Sequence, residues 1–150
     1  MERTIASSYR ILQIALVVSG VAFLLIYPLA VVWPSGWAWE SGAPYQSHLY
    51  MMIVGVYATL GIFLLNGARN PQANLSLIWF TVISSLVHSA IMAVQSFSNG
   101  GNHLGHLVGD VPALLLVAVV LAVLVLASGL KQPRSGRAGL LTNEDVAIQG

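Results

Sequence analysis

The chain has no cysteine. That removes disulfides, thiolate nucleophiles, Cys-ligated zinc and iron–sulfur clusters, and with them quinone chemistry run against a cysteine pair. Charge is nearly as scarce: Asp, Glu, Lys and Arg make up 7% of the 150 residues, where a soluble domain carries roughly a quarter. There is no basic stripe with interleaved aromatics, so nucleic acid is not expected as a partner. Paired carboxylates, a Gly-rich phosphate loop and a nucleophile–base pair are also missing, and nothing in the sequence demonstrates catalysis.

What is present is apolar, at 57% hydrophobic residues and a mean hydropathy of +0.80. Four apolar runs, at about 11–33, 48–66, 74–96 and 110–131, are each long enough to cross a ~30 Å hydrocarbon core at ~1.5 Å per residue. The first follows Arg3 and Arg10 and so competes with a signal peptide. Its apolar stretch exceeds the ~7–15 residues of a signal h-region, and no small-x-small cleavage site closes it. It is read as a retained span, kinked or ended near Pro28 and Pro34. Short connections favour antiparallel neighbours. The expected fold is therefore all-α and integral to a membrane, four transmembrane helices in an up-down-up-down bundle over residues 1–131. Residues 132–150 lack apolar periodicity and are expected to form a disordered cytoplasmic tail.

The six Lys and Arg residues sort by side. Arg3 and Arg10 precede the first run, Arg69 lies between the second and third, and Lys131, Arg134 and Arg137 follow the fourth. Cytoplasmic segments retain such residues, which predicts both termini inside. All four histidines, with Glu40 and Asp110, then belong to the outer half.

Local signals refine the helices. Trp33, Trp37, Trp39 and Tyr45 around the first outer loop suit the headgroup zone, with an aromatic ligand cage as the alternative. Gly55, Ala58 and Gly61 would let another helix approach the second closely. Asn70 is a plausible N-cap before Pro71. On the third, Thr81, Ser84, Ser85, His88, Ser89, Met92 and Gln95 recur at three- and four-residue steps, a polar stripe that must face other helices rather than lipid.

The segments YMMIVGVYATLGIFLL (residues 50–65), NPQANLSLIWFTVISSLVHSAIMAVQ (70–95) and HLGHLVGDVPALLL (103–116) resemble a family of small bacterial four-helix membrane proteins of unknown function. In layout the chain is loosely similar to DoxX-like membrane proteins. The resemblance implies the fold and the bacterial cytoplasmic membrane, and it brings no activity or site residue.

His88 is the sharpest chemical signal. Eight residues separate it from Ser96, which puts it ~12 Å below the outer end of its helix. At that depth an ionisable group faces the bundle interior or a wet cavity. It could ligate a metal, relay a proton or hold a headgroup or quinone oxygen; equally, it could be a neutral imidazole bonded to a neighbouring helix. His103, His106 and Asp110 share one face if their segment is helical, and could bind zinc, iron or copper. The glycines around them argue against a helix there, and Asp110 before Val111-Pro112 also suits a capping role. His48 and Glu40 could complete an outer cluster. A bis-histidine haem is disfavoured because only His88 is deep. The leading expectation is a non-enzymatic membrane subunit or interaction protein, embedded in the bilayer and open to homo-oligomers or a larger complex. The alternative is an outer-facing histidine site for a metal, quinone or lipid; a proton-coupled transporter ranks last for want of polar groups leading inward.

Overall fold

A computed structural model describes residues 2–37, 43–98 and 107–130. Every element among these residues is helical. Helix α1 (Glu2–Leu24) begins ahead of the apolar run and stops early. The cause lies four residues on: Pro28 offers no N–H, and its ring collides with the carbonyl of Leu24. The Leu25 N–H is shared between the Val21 and Ala22 carbonyls at 3.1 Å each. Two short pieces follow, α2 (Ile26–Val32) and α3 (Pro34–Trp37), so the first run is not one uninterrupted helix.

Helix α4 (His48–Gly67) is opened by Ser47, whose Oγ accepts the Tyr50 N–H at 3.2 Å. Asn70 acts as expected, its Oδ1 accepting the Ala73 N–H at 3.3 Å. It caps a 3₁₀ turn, Pro71–Asn74, which feeds α5 (Leu75–Ser98). Helix α6 (Asp110–Ala127) is closed by Gly129 at φ +62°, the left-handed position that glycine takes without a Cβ penalty. Four stretches are long and apolar enough to cross a membrane: Ser7–Leu24, His48–Gly67, Pro71–Phe97 and Asp110–Ala127.

Two contacts dominate the packing. In α5 the residues Leu75, Ile78, Val82, Ser85, Ser89, Met92 and Ser96 are buried, and in α6 Val111, Leu114, Ala118, Leu121 and Val125, followed by the capping residue Ser128. Both sets advance by alternating steps of three and four, the spacing of a coiled-coil seam, and α5 and α6 are the most closely packed pair. Helix α1 packs against α4 and α6. At the α1/α4 crossing, Gly20 and Gly61 meet backbone to backbone: a Cβ on Gly61 would lie 2.6 Å from the Gly20 carbonyl oxygen, and one on Gly20 2.8 Å from that of Gly61. The close approach expected of the small residues on α4 is therefore made by Gly61, whereas a Cβ on Gly55 would meet nothing within 4 Å. Three points fix the pair as antiparallel: Gln13 Nε2 donates to the Ala68 carbonyl (2.9 Å), Gly20 meets Gly61, and Tyr50 Oη donates to the Ile26 carbonyl (3.3 Å).

Helices α4 and α5, though consecutive, touch only sparingly. Their connection is short, yet nearly all of the packing of each goes to another neighbour. An open groove runs between them.

The polar stripe of α5 is buried as expected at Thr81, Ser85 and Ser89, and Ser96 is buried beyond it, but these hydroxyls mostly turn back on their own helix. Thr81 Oγ1 donates to Leu77 O (2.9 Å), Ser89 Oγ to Leu86 O (3.0 Å) and Ser96 Oγ to Met92 O (2.8 Å). Small side chains that satisfy themselves this way let backbones approach without polar partners across the interface. Gln95 leaves the stripe and is exposed.

Candidate functional site

A cavity of about 40 Å³ lies where α2, α3, α4, α5 and α6 converge. Its walls are Ile26, Trp37, Tyr50, Ile53, Tyr57, His88, Met92, Asp110 and Leu114. A water occupies roughly 10–15 Å³ on this measure, so the space takes a few water-sized groups.

Each polar wall arrives by a separate local rule. Trp37 ends the short helix that follows the Trp33-Pro34 break. Tyr50 and Tyr57 stand seven residues apart on α4, two turns along one face. Tyr50 is anchored by donating its hydroxyl to the Ile26 carbonyl, which leaves the phenol oxygen able to accept. The ring of Tyr57 stands edge-on to Phe23 of α1 at 5.0 Å between centroids, and to His88 of α5 at 5.5 Å. Phe23, Tyr57 and His88 thus form an aromatic ladder from α1 across α4 to α5, in the range where edge-to-face pairs attract. It bridges the two helices that otherwise stand apart.

Asp110 is buried, with 5% of its surface exposed, in the first turn of α6. Gly109 occupies the capping position, so Asp110 lies one residue inside the helix rather than at its cap. The positive end of the helix dipole still favours a carboxylate there. Trp37 contributes a second buried polar atom: its Nε1 has no hydrogen-bond partner among the described residues.

His88 and Asp110 line one cavity. His48 sits exposed in the first turn of α4 and is not among the lining residues. Glu40, His103 and His106 lie outside the described residues, as do Trp39 and residues 131–150. Among the described residues no group of three or more His, Cys, Asp or Glu side chains could hold a metal ion. For His88 the described neighbour is an aromatic ring of the adjacent helix. Of the loop aromatics, Trp33 and Tyr45 are exposed, whereas Trp37 lines the cavity with its Nε1 buried.

Sequence reasoning passed over Tyr50 and Tyr57. The signal was available: two phenols seven residues apart inside an otherwise apolar span mark one face of the helix. What it lacked was the partner, since Phe23 and His88 are 34 and 31 residues away from Tyr57 in the chain.

No curated protein and no solved structure matches the chain. A family model does, over residues 6–143, which takes in all four apolar helices and the cavity. The chain belongs to the family of unknown function DUF6632.

Proposed function

We propose that this chain is a non-enzymatic multi-pass membrane protein that works by binding a small molecule in the cavity around His88. The reading rests on how polar groups are spent in a chain where 7% of residues are charged. A carboxylate, an imidazole, two phenols and an indole, carried by α3, α4, α5 and α6, converge on one small space. Polar groups at membrane depth are costly and mark ligand or ion sites more often than in soluble cores. A buried indole N–H without a partner among the described residues costs ~1–3 kcal/mol, which a bound acceptor would recover.

In this reading the helices run up-down-up-down with both termini in the cytoplasm of a bacterium. Arg10, Arg69 and the cations after residue 130 hold the inner side, and the cavity faces the outer leaflet. The outward apolar faces leave room for a second copy or a larger membrane complex. Because the chain has no cysteine, single introduced thiols report the orientation cleanly. In intact cells Tyr45→Cys should react with an impermeant maleimide and Ala73→Cys should not; the reverse pattern would invert the topology.

Native mass spectrometry of the detergent-purified protein tests the binding reading. The wild type should carry a small molecule that His88→Leu and Trp37→Phe have lost. An identical set of bound species in all three proteins would sink it.

A metal site is a second reading, favoured by His88 and Asp110 lining the same cavity. It needs His103 or His106 to supply the remaining ligands. Elemental analysis of wild type and the His103→Ala/His106→Ala double variant decides: equal, sub-stoichiometric metal in both would remove this reading.

A further inference from the structure

The groove between α4 and α5 is not a separate feature. Ile53, Tyr57 and His88 line it as well as the cavity. From there it holds about 350 Å³ beside Met52, Val56 and Phe80, and continues past Thr59 to Phe63. Measured along α4 from Leu49 to Phe63, it runs ~21 Å, well over half of a ~30 Å hydrocarbon core. Its walls are open to the lipid side: Met52 is 69% and Val56 67% exposed. A long apolar groove one helix-gap wide thus lies against a polar cavity that admits only a few water-sized groups, with Ile53, Tyr57 and His88 as their common wall.

Resting on the cavity reading above, we infer that the ligand is an uncharged single-chain amphiphile, a long-chain alcohol in chemical class, with its chain in the α4/α5 groove and its hydroxyl in the cavity beyond His88. Because groove and cavity share the wall formed by Ile53, Tyr57 and His88, one molecule with an apolar tail and a compact head could reach both. Three features select the head. A carboxylate or phosphate would be repelled by Asp110. An ammonium only donates, so it cannot answer the Trp37 indole, which also only donates. A hydroxyl does both, accepting from Trp37 Nε1 while donating to a carboxylate or imidazole, and it is no larger than a water. The ligand enters sideways from the bilayer, and the Tyr57–His88 ring pair, in edge-to-face contact at 5.5 Å, must part to admit its head.

Photolabelling tests this. The full chain in phospholipid nanodiscs is exposed to hexadecan-1-ol carrying a mid-chain diazirine, irradiated and mapped by peptide mass spectrometry. Labels should concentrate on Met52, Val56 and Phe80. Unlabelled hexadecan-1-ol should compete at least about tenfold better than hexadecanoate or hexadecylamine, the factor expected from one hydrogen bond. Gly55→Leu adds a side chain to the groove wall where a Cβ meets nothing within 4 Å, so it should fold normally and reduce groove labelling about tenfold. Trp37→Phe should erase the preference for the alcohol over the amine while leaving the groove accessible.

Labels spread evenly over outward residues such as Ile14, Leu116 and Val123 would overturn the groove. Equal competition by the acid or the amine would overturn the hydroxyl head. Cross-links from groove residues to a second copy, undiminished by any amphiphile, would make the occupant a helix instead. If the wild type loses its copurifying molecule in His88→Leu and yet shows no groove labelling, this inference fails and the cavity reading stands. If neither occurs, both fail.

Discussion

Toward the interior and α6, helix α5 presents Ser85, Ser89 and Ser96 among its larger residues; toward α4 it presents Leu77, Phe80 and His88. The first face closes against Ala118, Leu121 and Val125. The second stays apart from a helix that offers Met52, Val56 and Phe63. In a bilayer both kinds of face are apolar enough, because lipid chains solvate Phe and Val as well as another helix does. What separates them is how near the backbones can come, and small residues decide that. The Gly20–Gly61 crossing makes the same point on α1 and α4, and there Gly55 is the contrast: same helix, same residue type, no neighbour.

Paired substitutions break or sharpen this contrast. The largest gap should separate Leu121→Ala from Val56→Ala. Leu121 is fully buried in the α5/α6 seam and its truncation should cost about 3 kcal/mol, whereas exposed Val56 should change stability by less than about 0.5 kcal/mol. Reversible unfolding in mixed micelles measures both, and equal losses would mean that the groove is packed like the seam. Next comes one methyl group placed at two glycines. Gly61→Ala drives a Cβ into the Gly20 carbonyl and should destabilise by about 2 kcal/mol. Gly55→Ala should stabilise by up to about 1 kcal/mol through helix propensity alone. If Gly61→Ala were as benign as Gly55→Ala, the backbone crossing would be wrong. The smallest effect tests the seam's hydroxyls. Ser85 Oγ is buried with no hydrogen-bond partner among the described residues, so Ser85→Ala should be neutral or stabilising by about 1 kcal/mol. A clear loss in the thermal melt of Ser85→Ala would show a partner for that hydroxyl.

The helices themselves were legible. Apolar length marked four stretches able to cross a membrane, and the break in the first followed from Pro28, one turn past the observed end at Leu24. Asn70 and Pro71 announced the start of the third crossing because capping is local chemistry. The stripe on α5 was legible as a buried face, though not what its hydroxyls would do. A Ser or Thr inside a helix has its own carbonyl three or four residues back always within reach, which a search for partners on other helices overlooks. The site was half legible. His88 stood out because titration at depth is rare, Asp110 only as a possible ligand or helix cap, and the two line one cavity. His48 did not join them: being near the same end of the chain's helices says nothing about which way a side chain faces. Trp37 was hidden by a sound general expectation about interfacial aromatics that its position after the Trp33-Pro34 break overrode.

By itself the sequence determined what depends on near neighbours and on the solvent. It gave the apolar lengths that fit a bilayer, the proline break, the caps, and the rarity of polar groups that makes His88 conspicuous. Tertiary structure alone decided which helices are partners. That α4 turns to α1 rather than to α5 comes from two glycines 41 residues apart meeting at one point. The opening between α4 and α5, and the joining of Tyr57 to Phe23 on one side and His88 on the other, follow from that choice. The physical reason is that packing in a membrane is settled by shape at contact distance. Periodicity marks which face of a helix is buried, but not which distant segment covers it.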